Sequence, residues 1–148
     1  MSNLTRFDIA QFDTYDRALA ELTEGRKQTH WMWFIFPQLK VLGRSASAKH
    51  FGIEDMAEAR AYLADPDLGP GLIAVARAVL THPDRSAAQI MGQVDALKLR
   101  SSATLFREAA QDPQTRAVFE AILTTFYEGQ PCAATLAHLR GQAAPQQP

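Results

Sequence analysis

The stretch Gly25–Gly43, GRKQTHWMWFIFPQLKVLG, decides the fold. Within it Trp31 to Phe36 is one continuous apolar run with no clean period, closed by Pro37. Periodicity cannot separate a buried strand from a buried helix in so short a run. A strand would need a neighbour for its backbone N–H and C=O groups, and no second convincing strand occurs in the chain. The run is therefore expected to be a short buried helix, disturbed just before Pro37, whose ring disfavours helical geometry in the preceding residue. With that segment helical, the chain reads as all-α.

The flanking segments carry helical spacing. Leu4 to Phe12 forms a short first helix with Phe7 and Phe12 facing inward, and Asp13 is a plausible N-cap for the next. There Tyr15, Ala18, Leu19 and Leu22 fall on one face, and Gly25 closes the helix. Leu39 to Gly43 reads as a loop. Ser45 and Asp55 cap two further helices, with Asp65-Pro66 as a stop. Gly69-Pro70-Gly71 reads as a turn opening the apolar helix Leu72–Leu80. Ser86 to Met91 is a short helix, Asp95 to Ala110 a long one, and Asp112-Pro113 starts a helix striped by Val118, Phe119, Ile122, Leu123 and Phe126. Thr135 to Leu139 adds a final turn. The expected architecture is a single compact domain of about seven to nine helices over residues 1–140, with a disordered tail over 141–148, GQAAPQQP.

The 148 residues suit one domain with a real core. The net charge of −1 argues against a nucleic-acid partner. No apolar run approaches the roughly 20 residues of a membrane helix. A single cysteine, Cys132, and the absence of a signal-peptide pattern point to a cytoplasmic protein. Charge placement is less even. Residues 1–24 hold five acids and two bases, whereas the 29 residues from Gly25 to Ile53 hold no acid and five bases, Arg26, Lys27, Lys40, Arg44 and Lys49. An acid-free interval around an aromatic cluster can attract an anion, unless neighbouring acidic helices neutralise it.

One lysine sits out of pattern. On a wheel of about 100° per residue, Lys98 and Ser102 fall inside the apolar arc with Val94 and Leu105, Ser101 borders it, and Arg100, Thr104, Arg107 and Glu108 lie opposite. Leu97 is the exception, on the polar side. A buried unpaired ammonium is costly. Lys98 must reach the edge, pair with an internal acid such as Asp8, Asp16 or Glu58, or face a cavity that holds an anion.

No P-loop, GxGxxG, HExxH or CxxC motif is present, and the four histidines show no metal-ligand spacing, so neither metal nor cofactor is expected. His82 and His138 read as surface residues, and Cys132 as a plain structural cysteine. Lys98 and Ser102 have the i, i+4 spacing of a Ser–Lys pair, a spacing that chance often produces. Two functional readings stand beside simple core packing. In the first, a small anionic or nucleotide-like ligand binds between the aromatic stretch and the Lys98 segment. Trp31 or Trp33 would stack a ring, Lys27, Arg44 or Lys98 would meet phosphate, and His30, Gln38, Ser101 and Ser102 would orient polar groups. In the second, the aromatic stretch is the hot spot of a protein-interaction module.

The segments His30–Gln38 (HWMWFIFPQ), Leu42–Ser45 (LGRS), Glu58–Leu63 (EARAYL), Leu68–Pro70 (LGP) and Lys98–Ser102 (KLRSS), with Thr104-Leu105-Phe106, follow one another in a familiar order. In this the chain resembles the domain of unknown function family numbered 1810, from about Phe7 to Leu139. Ala103 stands where the family pattern usually has Met. The resemblance implies a compact, mainly helical, bacterial-type domain and supplies no activity. Members are sometimes labelled calpastatin-like, but calpastatin is a disordered inhibitor and this chain has a folded domain's periodicity.

Overall fold

A computed structural model describes residues 3–143. These residues form ten α-helices: α1 Thr5–Gln11, α2 Tyr15–Thr23, α3 Met32–Ile35, α4 Ala46–His50, α5 Met56–Ala64, α6 Leu68–Leu80, α7 Ala87–Met91, α8 Gln93–Ala109, α9 Pro113–Phe126 and α10 Ala133–Ala143. The class is all-α in a single domain, with one helix more than the expected upper count. Helix α10 runs three residues into the stretch expected to be a tail. Residues 144–148 lie outside the described residues.

The helix starts follow side-chain chemistry. Ser45, Ser86, Asp55 and Asp112 each accept a backbone N–H one turn ahead, and Ser86 with Gln89 forms a reciprocal capping box. Asp13 does not cap α2; Thr14 holds that position, without a side-chain bond. His82, expected at the surface, is half-buried and caps the other end of α2. Its Nε2 donates to the carbonyls of Leu22 and Thr23 at 2.9 and 3.0 Å.

Helix α8 is the axis, flanked by α5, α7, α9 and α10, while α6 packs on α2, α5 and α9. A chain of aromatic contacts crosses the core from α1 to α9. Phe7, Tyr62, Phe106 and Phe119 succeed one another with centroids 5.1, 5.4 and 5.8 Å apart. Phe12 is not part of it. Helix α1 is short and only its Phe7 reaches the core, which leaves Phe12 91% exposed at the C-cap.

Three readings shift at the surface. The expected loop at Leu39–Gly43 contains a 3-10 turn, Lys40–Leu42, and an isolated parallel bridge joins Leu39 to Ile53. Gly69-Pro70-Gly71 is no turn: all three residues lie in the first turn of α6, where proline's missing N–H has no intrahelical role. Val94, placed within the apolar arc of α8, is two-thirds exposed. The arc is centred further round, on Ala96, Leu99, Ala103 and Phe106, all buried.

A Cβ at Gly69 would stand 2.2 Å from the Leu63 carbonyl oxygen, which is backbone and cannot swing away. Gly69→Ala should therefore cost about 1–3 kcal/mol or more, the range of an overpacked core. A lowered urea midpoint with an unchanged denaturant slope would check it.

Candidate functional site

The aromatic stretch is held from outside by one carboxylate. Glu21, on α2, is buried and receives four hydrogen bonds. They come from the backbone N–H of Gln28 (2.7 Å) and of Thr29 (3.1 Å), the Thr29 hydroxyl (2.7 Å) and the Trp31 indole Nε1 (2.9 Å). Burial pushes its pKa up. The hydrogen bonds from Gln28, from the Thr29 hydroxyl and N–H and from Trp31 outweigh that and bring it down to about 2. Beside this clasp Lys27 turns inward. Its Nζ lies 2.9 Å from Asp95 Oδ2, donates to the Thr29 carbonyl at 2.7 Å and stands 4.8 Å from the centroid of the Trp31 ring.

Downstream of Trp31 the run forms α3, a single turn, because Met32 and Ile35 enter the core and Phe36 follows them in. Gln11 of α1 pins this turn, donating through Nε2 to the Phe34 carbonyl at 2.6 Å and to the Tyr62 hydroxyl at 3.1 Å. Trp31 is fully buried, and Trp33 alone of the two tryptophans keeps an exposed part.

The aromatic stretch and the Lys98 segment do meet, at one point. Lys98 Nζ stands 5.9 Å from the Trp33 ring centroid and 3.8 Å from Asp95 Oδ1, one turn back on its own helix. Asp95, not Asp8, Asp16 or Glu58, is thus the acid that lysine meets, and its other oxygen is held by Lys27. The Lys98 side chain is 30% exposed, so it has reached the edge rather than the interior.

The other expected site residues separate from this point. Ser101 donates to the Leu97 carbonyl at 3.3 Å and to Cys132 Sγ at 3.4 Å. Ser102 is fully buried and its hydroxyl has no hydrogen-bond partner among the described residues, so no Ser–Lys pair is formed with Lys98. His30 and Arg44 are exposed. Gln38 takes part through its backbone carbonyl, which accepts from the Ile53 N–H at 2.8 Å. Arg100 is tied down rather than free, donating from Nε to the Gln130 carbonyl at 2.9 Å.

Two structural residues of the site escaped the sequence reading. Glu21 borders the apolar stripe of α2, directly ahead of the glycine that ends the helix and of an acid-free loop rich in donors. That placement was the available signal. Asp95 reads as a helix start, and its spacing of three from Lys98 marks its second role. Among the described residues no group of three or more His, Cys, Asp or Glu is placed to hold a metal ion, and no helix is long and apolar enough to cross a membrane.

The family model described as "Protein of unknown function (DUF1810)" matches residues 1–139. A solved structure of the conserved hypothetical protein Rv1873 from Mycobacterium tuberculosis is similar, with 42% sequence identity and a TM-score of 0.89. The likeness covers 93% of this chain and 96% of that one. No curated protein matches the chain.

Replacing Glu21 tests the clasp. Glu21→Ala strands the buried Trp31 indole and frees two part-buried backbone donors, and should cost about 1–3 kcal/mol, the penalty of an unsatisfied buried group. Because the folded-state pKa is depressed, this carboxylate's contribution is complete above the ordinary carboxylate range near 4.5 and is lost as pH falls from there towards 2. The stability difference between the native chain and Glu21→Ala, followed by urea unfolding, should shrink over that window.

Proposed function

The chain belongs to the DUF1810 family of proteins of unknown function, and from that premise we propose that it is a binding domain for a small anionic, nucleotide-like ligand at the surface where Trp33 meets Lys98. The observation that carries the reading is the incomplete pairing of Lys98. Its one carboxylate neighbour is 3.8 Å away and is already bonded by Lys27 at 2.9 Å. The ammonium therefore keeps donors to offer an anion, beside a half-exposed indole able to stack a base. Stacking falls to Trp33, since Trp31 is enclosed and covered by Lys27. Lys27 serves indirectly: it occupies Asp95 and so keeps that acid from neutralising Lys98. His30 is exposed three residues before Trp33 and is the nearby polar side chain this reading would use.

A second reading, a protein-interaction module, is favoured by one observation. Val94 and Leu97, near Lys98 in the first turns of α8, are each 66% exposed. A protein partner would cover these together with Trp33.

Thermal melts against a panel of nucleoside monophosphates and sugar phosphates separate the two. Under the ligand reading a member of the panel raises the melting temperature, with about 2.7 kcal/mol of stabilisation at a hundredfold excess over Kd. Lys98→Ala should abolish that rise without changing the melt of the free protein by more than about 0.5 kcal/mol. Trp33 fluorescence should become shielded from acrylamide in the complex. No rise across the panel would sink the ligand reading.

A further inference from the structure

The acid-free interval has a second product, away from Trp33. From Leu39 to Ile53 the chain leaves the core and returns, and its ends are tied. Lys40 N–H donates to the Ile53 carbonyl and Ile53 N–H to the Gln38 carbonyl, both at 2.8 Å. Close approach is possible because residue 52 is glycine: a Cβ there would stand 2.3 Å from Lys40 Cα. The segment is thus a closed fifteen-residue Ω-loop, a form often used to present functional groups. It contains Lys40, Arg44 and Lys49 and no acid.

Arg6 of α1 fixes the loop's base. It donates to the carbonyls of Asn3, His50 and Gly52 and to Glu58 Oε1, the His50 and Gly52 bonds each 2.9 Å and the Glu58 bond 3.0 Å. Above this base opens a cleft of about 620 Å³, within the range of small-molecule sites. A second cleft of about 400 Å³ adjoins it and reaches His138, with Lys40, Lys49 and Glu54 on the shared rim.

The cleft is lined by three bases, Arg6, Lys40 and Lys49, and three acids, Glu54, Asp55 and Glu58, and local bonds orient these acids without removing their charge. Glu58 is held by Arg6 and by the Glu54 N–H. Asp55 caps α5 by accepting from the Glu58 N–H. Glu54 faces Lys40 at 3.7 Å with both side chains more than half exposed, a pairing water weakens to little net worth. Lys49 makes no ion pair among the described residues. Two lysines on a preformed rim, one unpaired and one loosely paired, are thus left to act over one hollow.

We infer that this Ω-loop cleft is a second anion site, which takes a compact, multiply charged phosphate-type anion of the pyrophosphate class between Lys40 and Lys49. Lysine ammonium groups are point-charge donors suited to tetrahedral oxyanions, and two of them match a ligand with more than one phosphoryl group. The rim carries no stacking tryptophan, so the ligand needs no base. The site does not depend on the Trp33–Lys98 surface.

Titration calorimetry of the full chain with inorganic pyrophosphate and tripolyphosphate tests this, with sulfate at matched ionic strength as control. Saturable binding is expected, weakened about tenfold or more by Lys40→Gln and by Lys49→Gln, each of which removes a charged hydrogen-bond donor. Glu54→Gln should tighten it, and Lys98→Ala should leave it unchanged. These four side chains lie at the surface or its edge, and equal melting temperatures would certify the fold. Absence of saturable binding, equal binding of sulfate, or indifference to both lysine variants would overturn the inference. Loss in Lys98→Ala alone would also overturn it, while leaving the Trp33–Lys98 reading standing.

Discussion

The Glu21 carboxylate organises this molecule more than any single apolar contact. An ionised carboxylate removed from water is costly unless hydrogen bonds replace its hydration. Here four donors do so, and all come from residues 28–31, the link between α2 and α3. The clasp fixes where the chain turns after α2 and points the Trp31 indole inward. It thereby sets the register in which Met32, Ile35 and Phe36 reach the core. A four-residue helix has too few internal bonds to persist alone. α3 exists because its entry is clamped by Glu21 and its Phe34 carbonyl is held by Gln11.

Much of the fold was legible because its determinants are local. The stripes of α2 and α9, the apolar character of α6 and the caps Ser45, Asp55 and Asp112 each lie within a few residues of what they specify. The errors arose where tertiary context decides. Phe12 lies five residues beyond Phe7, about 140° round the helix at about 100° per residue, so the rhythm of α1 carries it outward while Phe7 faces the core. The glycine-proline-glycine sequence at the start of α6 looks like a turn by composition. Asp65 nevertheless accepts the Asp67 and Leu68 N–H groups at 2.9 Å, and the chain enters the helix four residues early. A wheel drawn for α8 places Lys98 in the arc with Val94. The buried face runs through Ala96, Leu99, Ala103 and Phe106, so Val94 faces solvent and Lys98 sits at the boundary, while Leu97 is exposed on the polar side where the wheel puts it.

The candidate site was legible as a pairing of segments but not as a set of side chains. The two segments do touch, through Trp33 and Lys98, yet the cations of the aromatic stretch divide between structure and surface. Lys27 is spent on Asp95 and the Thr29 carbonyl, whereas Arg44 stays out in solvent. What separates them is their partners: Lys27 is drawn in beside Trp31 by Asp95 and the Thr29 carbonyl, whereas Arg44 lies in the loop Leu39–Ile53 and is exposed.

The absence of acids between Gly25 and Ile53 then has two physical reasons rather than one. Up to Trp31, the segment wraps a buried carboxylate, and another acid there would face Glu21 across a poorly screened gap, where like charges disfavour each other's ionised form. From Leu39 to Ile53 the buried carboxylate is Glu58, held at the loop's base by Arg6 and by the Glu54 N–H, with Glu54 and Asp55 beside it in the same cleft. Lys40 and Lys49 stand outward over those acids, and an acid in the place of either would add to their mutual repulsion.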